Sequence, residues 1–314
     1  MSLAFLFPGQ GSQAVGMGQD LAEAFAVARE VFQEVDDALG QNLSRLLREG
    51  PEDQLTLTEN AQPALMAVSV AVMRVLESEF GVGVDKAAFV AGHSLGEYSA
   101  LAAAGSISLA ETARLLKLRG QAMQRAVPVG AGAMASLIGP KTDVALAEEA
   151  AAAGAELGVC VVANDNNAGN VVISGAKAAV DRAIERAKEL GARAIPLNVS
   201  APFHCPLMQP AADEMAEALA AASIAAPRAP VVANVTARPA HDPEEIRRLL
   251  VEQVTGRVRW RESVQWMAGE GGVTRFAEAG AGKVLSGMVK RLAPDAEALP
   301  LNAPADLEAF ARTL

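Results

Sequence analysis

The chain has few of the residues on which many functions depend. Its 314 residues include two cysteines, Cys160 and Cys205, too few for a disulfide framework and consistent with a reduced, cytoplasmic setting. There are three histidines, His93, His204 and His241, so any mechanism that needs an imidazole must draw on these. No His, Cys and carboxylate set has metal-ligand spacing, and no metal is expected. Aromatic residues make up only 4%. Uninterrupted apolar runs stay well short of the roughly 18 residues of a membrane span, because charges punctuate every helix candidate. An excess of basic residues is also missing. The net charge is -10 and the isoelectric point about 5.0, which argues against a nucleic-acid partner. The N-terminal Met1-Ser2-Leu3-Ala4-Phe5-Leu6-Phe7-Pro8 carries no basic segment ahead of its short apolar run. It reads as a buried first strand and not as a signal peptide.

What is present is a core. The chain is 51% hydrophobic with a mean hydropathy of +0.20, enough for one large α/β domain with a small insert. Strands are expected at Leu3–Phe7 and 87–91, and helices at 63–80, 96–104 and Leu109–Ala126. That alternation argues for a mainly parallel sheet covered on both faces. The middle reads differently. Strands at 131–138, 159–163, 170–174 and 192–198 and helices at 142–153 and 177–190 give the order βαββαβ, a ferredoxin-like pattern, with an Asn/Asp/Gly turn joining the second and third strands. Residues 129–198 are therefore expected to form a small domain inserted in a large one built from 1–128 and 199–314, with Gly130, Gly132 and Pro196 near the hinges. Farther on, helices are expected at 207–221, from Asp242-Pro243, at 260–269, from Lys283 and from Asp306, and strands at 231–232 and 274–278.

Gly92-His93-Ser94-Leu95-Gly96 matches G-x-S-x-G with a strand before it and a helix after it, the context that gives this motif meaning. A sharp strand-to-helix turn strains the serine backbone and lifts its Oγ clear of the sheet. Small residues on either side let the chain pass, and the helix N-terminus favours the anion formed on attack. The alternative is an incidental serine in a glycine-rich turn, in a chain with 27 glycines.

Ser94 needs a base. His93 is adjacent but should point away from it on such a turn, and His241 sits in a polar loop ahead of a helix. His204, in Ser200-Ala201-Pro202-Phe203-His204-Cys205-Pro206 after a strand, remains by elimination. Cys205 is a rival nucleophile, but it lacks an elbow and reads as a small buried thiol. Arg119 lies off the polar face marked by Arg114, Lys117, Gln121 and Gln124. Its helical neighbours are Leu115, Leu116, Gly120 and Met123. A guanidinium on an apolar face must meet an anion. That anion is either a buried Asp or Glu or the carboxylate of a ligand, which its fork fits bidentately.

Phe7-Pro8-Gly9-Gln10-Gly11-Ser12-Gln13, Gly92-His93-Ser94-Leu95-Gly96-Glu97-Tyr98, Arg119 with Gly120, Pro202-Phe203-His204 and Gln253 together resemble the malonyl-CoA:acyl-carrier-protein transacylases of type II fatty acid synthesis, nearly end to end. The resemblance implies an α/β-hydrolase-like large domain with a ferredoxin-like small domain. It implies transfer of malonyl from malonyl-CoA to the phosphopantetheine thiol of acyl carrier protein through a malonyl ester on Ser94, with no bound cofactor. His204 would be the base, oriented by a backbone carbonyl near Gln253. Gln10 and Leu95 would supply oxyanion N–H groups. Arg119 would pair with the malonyl carboxylate, and Met123 and Phe203 would line the acyl pocket. Asn167-Ala168-Gly169-Asn170 departs from the Pro-Gly-Gln of some relatives. An acidic carrier calls for a local basic patch, for which Lys283, Lys290 and Arg291 are the candidates, unless they are an ordinary solvated helix face. A cytoplasmic monomer is expected. A serine hydrolase, a non-catalytic carrier-binding module, and a transferase serving polyketide synthesis or malonate decarboxylation are the competing readings.

Overall fold

The apolar run at the N-terminus becomes the middle of a sheet. In the computed structural model, which describes residues 2–314, the strands are β1 (Leu3–Phe7), β2 (Phe89–Gly92), β3 (Gly132–Ile138), β4 (Cys160–Asn167), β5 (Asn170–Ala176), β6 (Arg193–Pro196), β7 (Val231–Val232), β8 (Pro239–Ala240), β9 (Arg275–Ala279) and β10 (Glu297–Leu301). They form two sheets, ordered β10-β9-β1-β2-β7-β8 and β4-β5-β3-β6.

The first sheet is mixed: its pairs are parallel except β7 with β8. Central parallel strands are covered on both faces, so β1 is continuously apolar instead of alternating. Leu3, Phe5 and Phe7 pack into one core with the Thr58–Phe80 and Leu109–Ala126 helices. Ala4 and Leu6 face the other way, toward Trp260, Phe276 and Val289.

The second sheet is antiparallel. One face, with Ala135, Leu137, Val162, Val171 and Ile173, is covered by the Val144–Ala152 and Lys177–Glu189 helices through alanines such as Ala147, Ala150, Ala183 and Ala187. These short side chains let helix and sheet approach closely. The opposite face carries Met134, Ala163 and Val172, which meet Val199 and Phe203. Among the described residues, no helix is long and apolar enough to cross a membrane.

Several elements differ from the expectation, among them the strand Pro239–Ala240 and the helices Leu43–Glu49 and Glu52–Thr56, which were not expected. Asn164, Asp165, Asn166 and Asn167 are strand and not turn, and only Ala168 and Gly169 separate β4 from β5. Irregular register between Val162 and Asn164, and again between Asp165 and Asn167, accommodates this polar stretch. The partners that hold it are distant in sequence: Asn164 bridges Val258, and the buried Asp165 carboxylate takes Arg261. The helix expected to start at Pro63 starts at Thr58. Its first turn is pinned by the Leu109–Ala126 helix, where a Cβ on Gly120 would lie 2.5 Å from the Glu59 Cα, so only glycine allows the crossing. β10 was not expected at all. It pairs with β9 at the sheet edge, where only Leu301 of its residues is buried, so its sequence carries no strand pattern.

Candidate active site

β1 and β2 end side by side, with Phe7 opposite Gly92 and the His93 N–H donating to the Phe7 carbonyl at 3.0 Å. The segment after β1 and the elbow after β2 therefore meet at the carboxyl edge of the sheet, where open α/β sheets place their ligands. The elbow is as tight as the motif implies. Ser94 has φ 53°, a left-handed value that non-glycine residues seldom adopt. A Cβ on Gly92 would fall 1.9 Å from Gly96 carbonyl atoms, and one on Gly96 would fall 2.2 Å from the Phe7 carbonyl oxygen. Both positions must be glycine for the strand to turn into the Gly96–Ala103 helix.

His204, also at positive φ, places Nε2 2.8 Å from the Ser94 Oγ. Its Nδ1 lies 2.9 Å from the Gln253 carbonyl oxygen. A carbonyl only accepts, so Nδ1 carries the hydrogen, and in the neutral ring Nε2 is left to accept from the serine hydroxyl. Burial, and then the charge of Arg119, push the His204 pKa down to about 3, against the opposing pull of the Gln253 carbonyl. The imidazole is therefore neutral near pH 7 and free to take a proton.

Arg119 is 1% exposed. It donates to Gln62 Oε1 at 2.7 Å, to Gln253 Oε1 at 2.9 Å and to Ser94 Oγ at 3.2 Å. Its guanidinium also lies 5.7 Å from the Tyr98 ring centroid. All three oxygen acceptors are uncharged, and its Nε has no partner among the described residues. Among the described residues, the structural ion pair that could have explained a buried arginine is not made. A cavity of about 320 Å³ opens beside it, lined by Gln10, Ser94, Leu95, Met123, Phe203 and His204 among others. Among the described residues no backbone acceptor meets the N–H of Gln10 or Leu95.

The other candidates take no part in these hydrogen bonds, although His93 lines the same cavity. His93 bonds Asn166 Oδ1 at 2.9 Å and packs edge-on against Trp260, and His241 is exposed. Cys205 is fully buried with Sγ on the Pro202 carbonyl, and burial pushes the Cys160 thiol up to about 12, so neither is a ready nucleophile. Lys283, Lys290 and Arg291 are exposed. Lys283 precedes the Val284–Leu292 helix next to Gly282, which approaches Ser12 of the Gln10 segment, whereas Lys290 and Arg291 sit in that helix's last turn.

Three contributors were not found from sequence. Gln62 holds Arg119 from inside a helix otherwise apolar at that level. Asn234 accepts from the Ser94 N–H at 2.7 Å from a turn with no motif around it. Glu97 served only as a mark of resemblance. A carboxylate among Gly96, Tyr98, Ala100 and Leu101 was the one available signal, and it is 2% exposed.

Residues 4–297 match the family model described as acyl transferase domain. The malonyl CoA-acyl carrier protein transacylase of Escherichia coli K12 is 46% identical over 98% of this chain and 97% of its own length. The chain belongs to this transacylase family. The acyl-carrier-protein-S-malonyltransferase of Bartonella henselae has a similar structure, with TM-score 0.97 and 55% identity over 100% of this chain and 99% of its own. A malonyl-transacylase solved in complex with a type II PKS acyl-carrier protein matches at TM-score 0.96 and 43% identity, covering 100% of both chains. The transacylase relatives thus align with both sheets of this chain and with the segment between them.

Proposed function

We propose that this chain transfers a malonyl group from malonyl-CoA to the phosphopantetheine thiol of acyl carrier protein through an ester on Ser94, supplying extender units for fatty acid synthesis. The observation that carries the malonyl assignment is the buried Arg119 guanidinium. It lies 3.2 Å from the Ser94 Oγ and donates only to neutral oxygens, next to a cavity where an acyl carboxylate can accept from it. Transacylase relatives act on these substrates by name, and one was solved with a carrier protein bound.

In the first half-reaction His204 Nε2 takes the Ser94 hydroxyl proton as Oγ attacks the thioester carbonyl. The oxyanion is held by the Gln10 and Leu95 N–H groups. Collapse expels the CoA sulfur, which takes the proton from His204, and leaves malonyl esterified to Ser94. In the second half-reaction the carrier thiol gives its proton to His204 and attacks the ester. Ser94 Oγ leaves and recovers the proton. Phe203 and Met123 limit the space around the acyl carbons, and the guanidinium orients malonyl through its carboxylate. No electrons change hands, so the two substrates suffice without a cofactor. Lys283, Lys290 and Arg291 are our candidates for the carrier-docking face.

The sheet order β4-β5-β3-β6 with helices on one face supports reading residues 129–198 as a ferredoxin-like domain. The remainder, 1–128 and 199–314, reads as an α/β-hydrolase-like domain. A cytoplasmic monomer fits the acidic, cysteine-poor composition. The test is intact-protein mass after mixing with malonyl-CoA. The native protein should gain one malonyl group and Ser94→Ala none, and added carrier protein should then take up the group. Absence of an adduct on the native protein refutes the covalent route, and release of the group to water refutes the acceptor.

A further inference from the structure

Several hydrogen bonds of the site lead away from the substrate cavity and converge on two buried residues. Asn234 has its four polar groups engaged. Its Oδ1 accepts from the Ser94 N–H at 2.7 Å, and its Nδ2 donates to the Gly92 carbonyl at 2.7 Å. Its N–H donates to Glu97 Oε2 at 2.9 Å, and its carbonyl accepts from the Arg259 N–H at 2.9 Å. One side-chain amide thus spans the turn that Ser94 tops. A serine at φ 53° persists only where its surroundings over-determine it.

Glu97 lies one helical turn beyond Ser94. Its Oε2 accepts both the Asn234 N–H and the Gln253 Nε2 at 3.0 Å. The Gln253 amide gives its other hydrogen to the Ser94 carbonyl at 2.9 Å and offers Oε1 to Arg119 at 2.9 Å. Flipping that amide would set its oxygen against a carbonyl and a carboxylate, neither of which can donate when Glu97 is ionised. Glu97 and the Ser94 carbonyl together therefore set which end of Gln253 faces Arg119, while the Gln253 carbonyl orients His204.

We propose that Glu97 and Asn234 are positioning residues for acyl transfer, a buried strut that fixes the Ser94 elbow and, through Gln253, the aim of the Arg119 guanidinium. This inference rests on the roles assigned above to Ser94 and Arg119. A carboxylate is costly to bury, so its place between nucleophile and arginine is explained by what it orients.

The test is single-turnover acylation with malonyl-CoA and with acetyl-CoA, run on variants whose fold is checked by circular dichroism. Glu97→Ala removes the shared acceptor. It should slow malonyl acylation about 100-fold, the loss expected of a misplaced reacting group, and narrow the malonyl-over-acetyl ratio about tenfold. Glu97→Gln can present an oxygen at the same place, and both quantities should stay within about threefold of the native protein. Asn234→Ala reaches the elbow but not the arginine, so it should slow both thioesters about 100-fold and leave their ratio unchanged. It also decides the case if Glu97→Ala does not fold. Native rates and an unchanged ratio in a folded Glu97→Ala, equal losses in Glu97→Ala and Glu97→Gln, or a native rate in Asn234→Ala would each overturn the strut. Ser94→Ala runs alongside: persistent acylation there overturns the nucleophile, a separate failure.

Discussion

Replacing Arg119 with alanine separates its two tasks by free energy. In the protein the guanidinium is 1% exposed and serves Gln62, Gln253 and Ser94. Truncation leaves the two glutamine oxygens without that donor, at about 1–3 kcal/mol each. That loss falls on the fold and on every substrate alike. A malonyl carboxylate entering the same cavity would, in addition, be desolvated without its partner, and removing one member of a buried ion pair costs about 3–5 kcal/mol. At about 1.4 kcal/mol per tenfold in rate, malonyl acylation should fall roughly 100- to 5,000-fold beyond any general loss. Acetyl has no carboxylate, so its acylation should carry only the general loss, less than about tenfold if the fold relaxes. The assay is the time course of adduct mass with malonyl-CoA and acetyl-CoA at equal concentration. Arg119→Lys should fall between the two, since one ammonium cannot span both glutamines and a carboxylate. Equal losses with both thioesters would show that Arg119 holds the site together without reading the acyl group, and the malonyl assignment from geometry would fail.

Two further outcomes are expected. Burial pushes the Glu97 carboxyl from 4.5 up to about 7, against its hydrogen bonds from Asn234 and Gln253 and the charge of Arg119. The folded state thus binds this proton more tightly than the unfolded chain. Its contribution is full below about pH 4.5 and is lost as pH rises through 7, by an amount of order 3 kcal/mol. Glu97→Gln should therefore raise the melting temperature relative to the native protein at pH 8, with the gain fading toward pH 5; a gain independent of pH would mean that this carboxyl does not titrate in that range. Reversing charge at Lys283 and Lys290 should raise the KM for carrier protein, more so at low salt, and leave the KM for malonyl-CoA alone. If neither constant moves, the carrier docks elsewhere.

Local signals were read well where the chain ends its own elements. The Leu109–Ala126 helix starts where expected because Ser108 caps its first turn by accepting from the Glu111 N–H. Asp242 caps the Pro243–Thr255 helix in the same way, and Gly81 ends the Thr58–Phe80 helix in the left-handed conformation. These are contacts within a few residues, written in the sequence itself. The elements that eluded it are decided by distant partners. Asn164 to Asn167 have turn-forming side chains, yet Val258 and Arg261 draw them into a strand. Pro63 suggested a helix start, yet packing at Gly120 extends the helix before it.

The site divides along the same line. Sequence alone determined which residues could do chemistry. A serine between glycines that only a tight turn requires, an arginine on an apolar helix face and a histidine left by elimination are all legible from steric and solvation costs paid locally. Tertiary structure decided what those residues face. That Arg119 donates to three uncharged oxygens, that His204 leans on a backbone carbonyl, and that Glu97 and Asn234 brace the elbow are properties of groups 25 to 159 positions apart. Periodicity and capping carry no information about such pairs, because their hydrogen bonds form only after β1, β2 and β7 have packed into one sheet and brought their ends together.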